Sequence, residues 1–163
     1  MFLSKPIIIF LTVVIQTSLL NFSLAQTADD FYRDGYYKNK AKEYDSSIIL
    51  FNKAIELNPN DPDYYVSRGD SKAHLKNYSG AMDDYHIALG LDSNNAFAFY
   101  NIACIYSLKK DAKNGLLFLQ KAIEKGFDNE PDFVNTLKTD PDLAFLRAQK
   151  TFQTILKEYI QNQ

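Results

Sequence analysis

Three side chains near the middle of the chain are of the types that together perform thiol chemistry. Asp70 and His74 are four residues apart, so they share one face of a helix. Cys104 lies on a later predicted helix that can pack beside theirs, and a cysteine beside a histidine and a carboxylate is the minimum for nucleophilic catalysis. Cys104 also lies in the apolar stretch 102–106, where a small packing residue is expected. We therefore predict that the chain is not an enzyme, with a thiol enzyme as one alternative.

Other kinds of chemical site lack the residues that they need. The two histidines, His74 and His86, lie on different predicted helices, and no His, Cys and Asp residues have the spacing of metal ligands. The six glycines are scattered, so no phosphate-binding loop is present. The acidic runs Asp83-Asp84 and Asp61-Pro62-Asp63 are predicted to be solvated surface and helix caps. The sequence thus predicts no cofactor and no metal.

The composition suits one packed domain of the 163-residue chain. The net charge is −2, and no Lys/Arg cluster forms a phosphate-binding face, which argues against a nucleic-acid partner. Cys104 is the single cysteine, so no disulfide can form within the chain.

Residues 1–25 have the pattern of a secretory signal peptide. Lys5 precedes an apolar run over residues 7–15, and small residues end the segment at Ala25. We predict cleavage between Ala25 and Gln26, export to the periplasm or the extracellular space, and no membrane span afterwards. The alternative is an uncleaved anchor, although the apolar run is short for a span of about 20 residues.

The rest of the chain reads as consecutive helical hairpins. Apolar residues at helical spacing, with turns and breakers between them, predict six helices over about residues 28–41, 45–57, 62–75, 78–89, 96–108 and 112–125. Asp61 is expected to cap the third helix, with Pro62 in its first turn. Gly126 stands where a left-handed helix end is expected.

One pattern of small and large residues recurs at a fixed interval along these hairpins. The pattern consists of five series of positions, some occupied by small residues and some by large ones. This suits helices that approach closely at the small residues and fill the grooves between them with the large ones. The interval is constant in every series, with a period of about 34 residues, and a period of this size is typical of stacked helical repeats. The series are Phe31, Tyr65 and Phe99; Gly35, Gly69 and Ala103; Ser47, Ala81 and Gly115; Phe51, Tyr85 and Leu119; and Ala54, Ala88 and Ala122.

These series resemble the tetratricopeptide repeat (TPR) family. Gly69, Ala81, Tyr85 and Ala88 fit the family pattern closely, whereas Lys38 and Lys72 stand where the first helix of a repeat usually carries tyrosine. The resemblance implies an all-α, short right-handed solenoid of three antiparallel helix pairs, with repeats at 28–61, 62–95 and 96–129 within a domain of residues 26–129.

The segment 130–163 is predicted to cap the end of the array. Asp140 and Pro141 predict a helix start, and an apolar stripe predicts a last helix over about residues 149–159. The stretch LKTDPDLAFLRAQKTFQTIL is similar to the closing element of many bacterial TPR proteins, which implies an exported bacterial protein.

In TPR proteins the first helices of the repeats line a concave groove that binds peptides. By position, the resemblance implies a groove lined by Tyr32, Tyr36, Asn39, Asp63, Val66, Ser67, Asp70, His74, Phe97, Tyr100, Asn101, Cys104 and Ser107. TPR domains that hold acidic chaperone tails use cations and asparagines at five groove positions. This chain has Tyr32, Tyr36, Ser67, Phe97 and Asn101 there, so we predict no such carboxylate clamp.

The resulting hypothesis is a non-enzymatic adaptor or scaffold that binds a protein or peptide segment in the groove, in the cell envelope or outside the cell. The alternative is a structural subunit of an envelope assembly that contacts its neighbours through the outer helices.

Overall fold

Three antiparallel helix pairs form the body of the protein. The computed structural model describes residues 26–127 and 132–161, so the predicted signal peptide and its cleavage bond lie outside the described residues. The pairs are α1 (Ala28–Lys40) with α2 (Tyr44–Leu57), α3 (Pro62–His74) with α4 (Tyr78–Leu91), and α5 (Ala96–Leu108) with α6 (Ala112–Glu124). The predicted all-α solenoid is confirmed.

A closing segment, residues 132–161, follows the third pair. It contains α7 (Phe133–Thr139), a 3-10 turn (Pro141–Leu143), α8 (Ala144–Arg147) and α9 (Lys150–Gln161). Its side chains Leu137, Leu143, Leu146 and Phe152 are fully buried in one core with Leu119 and Ala122 of α6. The segment therefore covers apolar surface that the third pair would otherwise expose. Among the described residues, no helix is both long enough and apolar enough to span a bilayer.

Short polar side chains cap several of the helices. The carboxylate of Asp61 accepts a hydrogen bond from the backbone N–H of Asp63, as predicted, and Asn77, Asn95 and Asp111 cap α4, α5 and α6 in the same way. Gly126 has a φ of 95°, which confirms the predicted left-handed helix end.

The small residues stand where another element approaches the helix backbone. A Cβ added to Gly35 would lie 2.7 Å from the Phe51 ring, and one added to Gly69 would lie 2.5 Å from the Tyr85 ring. A Cβ added to Gly115 would lie 2.8 Å from Leu146 of α8. The first two contacts join the two helices of one repeat, and the third joins the last repeat to the closing segment.

The prediction that Asp83-Asp84 is solvated is wrong for Asp84. Asp83 is exposed, but Asp84 is buried and forms a bidentate pair with Arg68, at 3.0 and 2.7 Å. Lys72 adds a second ion pair at 2.8 Å. Two cations on α3 thus hold one carboxylate on α4, so this acidic residue joins the helices of the second repeat.

Candidate functional site

The first repeat presents aromatic and amide side chains on the predicted groove side. Tyr36 is 44% exposed, and the Lys40 ammonium lies 5.2 Å from its ring centroid. Tyr32 is half-buried against Tyr64, with ring centroids 5.0 Å apart. Asn39 donates to the Ser71 hydroxyl at 2.8 Å. The exposed part of this region is therefore the Tyr36 ring, while Tyr32 and Asn39 contact the second repeat.

The second repeat distributes its five predicted groove residues over different environments. Val66 is buried in the core, Ser67 is half-buried, and Asp63 is exposed. His74 is exposed and stacks on Tyr44, with ring centroids 4.5 Å apart. Asp70 is half-buried and points towards the third repeat, because its Oδ1 accepts a hydrogen bond from Asn101 at 2.6 Å.

The third repeat keeps most of its predicted groove residues close to the core. Tyr100, Cys104 and Ser107 are buried, Asn101 is half-buried, and Phe97 is 47% exposed. The Ser107 hydroxyl has no hydrogen-bond partner among the described residues. Tyr100 stacks on Phe127, with centroids 4.2 Å apart, so its ring is packed and its hydroxyl is the polar part.

A cavity of about 720 Å³ lies where α3, α5 and the closing segment meet. Five predicted groove residues line it, namely Asp70, His74, Tyr100, Asn101 and Cys104. Its lining also includes residues that the sequence analysis did not select, namely Tyr85, Thr136, Thr139, Asp140 and Asp142. In the sequence, the run Asp140-Pro141-Asp142 predicts only the start of a helix and does not indicate a cavity.

Asp70 is the central polar group of the cavity. Its Oδ1 accepts hydrogen bonds from the Tyr85 hydroxyl at 2.8 Å and from the Asn101 amide at 2.6 Å. Burial raises the pKa of Asp70 to about 7, and the hydrogen bond from Tyr85 and the charge of Lys40 act in the opposite direction. The carboxyl group therefore titrates near neutral pH.

The closing segment contributes two further carboxylates to the cavity. Asp140 accepts a hydrogen bond from the Tyr100 hydroxyl at 2.5 Å and another from the backbone N–H of Asp142 at 2.9 Å. Burial, and then the charge of Asp140, raise the pKa of Asp142, while His74 lowers it.

The cavity brings Asp70, His74 and Cys104 together, but their arrangement does not activate the thiol. Burial raises the pKa of Cys104, and Asp140 and Asp142 raise it further, so the thiol stays protonated. Within the described residues, His74 makes no hydrogen bond to either Asp70 or Cys104. No group of three or more His, Cys, Asp and Glu side chains in that part of the chain is placed to hold a metal ion.

Comparison with known proteins supports the repeat family. The family model described as tetratricopeptide repeat matches residues 32–61 and 98–124. TPR repeat-containing protein MJ1428 of Methanocaldococcus jannaschii is 30% identical over 88 residues, which are 54% of this chain and 14% of that protein. The chain spans between 14% and 37% of the length of the first curated relatives that it matches.

Solved structures share the architecture. YrrB, described as a TPR protein with an unusual peptide-binding site, is 27% identical with a TM-score of 0.59, over 64% of this chain and 54% of that one. The Yersinia enterocolitica type III secretion chaperone SycD, in complex with a peptide of the translocator YopD, is 18% identical. It has a TM-score of 0.62, over 74% of this chain and 89% of that one. The chain therefore has the TPR fold, and the tetratricopeptide repeat family is supported.

Proposed function

We propose that the protein is a non-enzymatic interaction module that binds an extended segment of a protein partner in its concave cavity. The observation that carries this proposal is the cavity of about 720 Å³ between α3, α5 and the closing segment. It is large enough for several side chains and combines apolar surface with a few hydrogen-bonding groups, as peptide and ligand sites do. The peptide complex of SycD provides a precedent in the same fold.

The chemistry of the groove side argues against acidic chaperone tails as the ligand. The five positions that would form a carboxylate clamp hold Tyr32, Tyr36, Ser67, Phe97 and Asn101. None of these side chains carries a positive charge, so these five positions offer a terminal carboxylate no cation to pair with. The proposed partner segment is held by side-chain and backbone contacts within the cavity.

The test compares two leucines that differ in position but little in exposure. Leu108 lines the cavity and is 41% exposed, whereas Leu117 lies on α6, outside the cavity lining, and is 48% exposed. Peptides selected from a random library on the purified protein are measured by fluorescence anisotropy. We expect Leu108→Arg to weaken binding at least tenfold and Leu117→Arg to leave it unchanged. Equal binding by both variants would refute the cavity as the binding site.

A second candidate function is that of a structural subunit in a larger assembly. Five large aliphatic side chains on the second helices of the described repeats are exposed, namely Ile49, Leu57, Ile87, Leu91 and Leu117. Isolated exposed aliphatic residues are common on protein surfaces, so this observation is weaker than the cavity. Loss of partner binding in Leu117→Arg, with binding kept in Leu108→Arg, would favour this candidate.

The proposed setting is the cell envelope or the extracellular space of a bacterium. Its support is the signal-like pattern of residues 1–25 and the closing-element sequence. N-terminal sequencing of the protein from its native host should start at Gln26. A protein that retains residues 1–25 would instead support a membrane anchor.

A further inference from the structure

Three carboxylates line the proposed binding cavity although they are distant in the sequence. Asp70 comes from α3, and Asp140 and Asp142 come from the closing segment, beyond the whole third repeat. Stacking the closing segment on α5 brings these acidic groups to one cavity. The basic residues in the lining are His74, which stacks on Tyr44, and Lys76 in the turn after α3.

The hydrogen-bond partners of these carboxylates are neutral. Asp70 accepts from the Tyr85 hydroxyl and the Asn101 amide, both at Oδ1. Asp140 accepts from the Tyr100 hydroxyl and from a backbone N–H.

Ion pairs within the described residues involve other acids. Asp30 pairs with Arg33, Glu43 with Lys38, and Asp84 with two cations, whereas none of the three cavity carboxylates forms an ion pair with another described residue. Partly buried carboxylates that lack a cation favour a positively charged partner. Charge complementarity therefore defines the ligand more narrowly than the cavity shape does.

Part of the remaining cavity wall is apolar and aromatic. Ala73, Ile105 and Leu108 provide aliphatic surface, and the rings of Tyr78 and Tyr100 border it. Such a wall suits the methylene stem of a lysine or arginine and the apolar residues beside it. Tyrosine rings also favour a cation near their faces.

We propose that the partner segment is basic: an extended peptide in which a lysine or arginine enters the cavity towards Asp70, Asp140 and Asp142, flanked by apolar residues. This inference rests on the proposed function, since it names the chemical class of the ligand of the same cavity. A ligand of this class has the opposite charge to the acidic tails that the carboxylate clamp holds.

The experiment determines the amino-acid composition of groove-dependent peptides, which are those whose binding requires the cavity. A random peptide library is selected on the purified protein, and binders that Leu108→Arg abolishes and Leu117→Arg keeps are sequenced. We expect at least one lysine or arginine in most of them. A chosen binder, and its version with each cation replaced by glutamine, are then measured by anisotropy. Replacement should weaken binding about tenfold or more, and raising the salt from 50 to 500 mM should weaken the basic peptide severalfold.

Two isosteric variants test which carboxylates of the protein bind the basic residue of the peptide. Asp142→Asn and Asp70→Asn should each weaken the basic peptide by a factor of three to thirty, while the exposed Asp83→Asn should have no effect. Circular dichroism confirms that each variant is folded. Groove-dependent binders that are neutral or acidic, or insensitivity to both variants, would overturn the basic-ligand inference and leave cavity binding intact. A selection without any groove-dependent binder would instead overturn the proposed function, and the inference with it.

Discussion

The two ends of the predicted groove side differ in chemistry although they are built from the same repeat. At the first repeat the exposed surface is the Tyr36 ring with Lys40 beside it. At the second and third repeats the equivalent positions hold Asp70 and Cys104, and the closing segment adds Asp140 and Asp142. One end is aromatic and carries a cation, and the other is rich in carboxylates.

The difference shows that the repeat determines position but not chemistry. Tyr36, Asp70 and Cys104 are spaced by one repeat each and come from corresponding turns of α1, α3 and α5. Packing requires small and large residues at other positions, such as Gly69 and Tyr85. The position of Tyr36, Asp70 and Cys104 carries a different type of side chain in each repeat, so each repeat contributes a different functional group to the same side of the molecule.

The largest loss of stability is expected when the buried ion pairs of Asp84 are removed. Asp84→Ala would leave Arg68 and Lys72, whose side chains are 16% and 20% exposed, without their shared anion. We expect a loss of about 3–5 kcal/mol in the free energy of unfolding, because an uncompensated buried charge is costly. Urea unfolding measures this loss. Asp83→Ala, at an exposed neighbour, is the control and should change stability by less than about 0.5 kcal/mol. Similar stability of the two variants would contradict the role of Asp84.

A smaller loss of stability is expected when a methyl group is added to α3 at Gly69. Gly69→Ala would place a methyl group 2.5 Å from the Tyr85 ring, which is buried and cannot move without displacing its hydroxyl from Asp70. We expect a loss of about 1–3 kcal/mol by overpacking, measured by thermal or urea unfolding.

The matched control is another glycine within a helix. Beyond its chain neighbours and the backbone of its own helix, a methyl group on Gly90 would meet no heavy atom of the described residues within 4 Å. Gly90→Ala should therefore stabilise the protein by about 0.5–1 kcal/mol through helix propensity. A neutral Gly69→Ala variant would show that the second repeat adapts to the added group.

Stability should also depend on pH through the carboxylate end. The pKa of Asp70 is about 7 in the folded protein, above its ordinary value of 3.8. Between these two pKa values the native state binds a proton that the unfolded state has released. The contribution of Asp70 to the free energy of unfolding is therefore fully present below pH 3.8 and is lost as the pH rises through about 7. The groups that face Asp70 are Lys40 of α1, Tyr85 of α4 and Cys104 of α5.

We expect the free energy of unfolding to fall by about 1–3 kcal/mol between pH 4 and pH 8 from this group. Asp70→Asn should remove most of the slope, and the raised pKa of Asp142 accounts for a remainder of the same sign. Urea unfolding at several pH values measures it. A wild-type slope that persists in full in Asp70→Asn would show that other groups cause it.

The smallest effect concerns the thiol at the carboxylate end. Cys104→Ala removes one buried sulfur, so a loss of about 1 kcal/mol in stability is expected. In the native protein the thiol should react with a thiol reagent at pH 8 at least tenfold more slowly than in denaturant, since it is buried and its pKa is raised. Rapid native reaction below pH 7 would revive the thiol-enzyme alternative.

Several local features could be predicted because they depend on short segments. The cap at Asp61, the left-handed Gly126 and the close approach at Gly35 and Gly69 follow from residue type and spacing alone. The turns between paired helices share a further regularity of the sequence. Lys42, Lys76 and Lys110 recur once in each repeat, and all take a positive φ, of 61°, 61° and 59°, in the turns between paired helices.

Other features depend on contacts that no local pattern contains. The seven-residue helix α7 has only three apolar residues, Phe133, Val134 and Leu137, which is too little periodicity to detect. The sequence predicts that Asp84 is solvated, as its neighbour Asp83 is. The partners that bury Asp84, Arg68 and Lys72, lie on another helix and cannot be recognised from the local sequence.

The sequence by itself determined the repeat, the helix pairs and their caps, because a fixed period imposes the same packing requirement on each hairpin. Only the tertiary structure decided the character of the cavity. The closing segment folds back onto α5 and places Asp140 and Asp142 in the same cavity as Asp70. The physical reason is that helix formation is local, whereas the charge of a cavity is the sum of side chains that distant segments bring together.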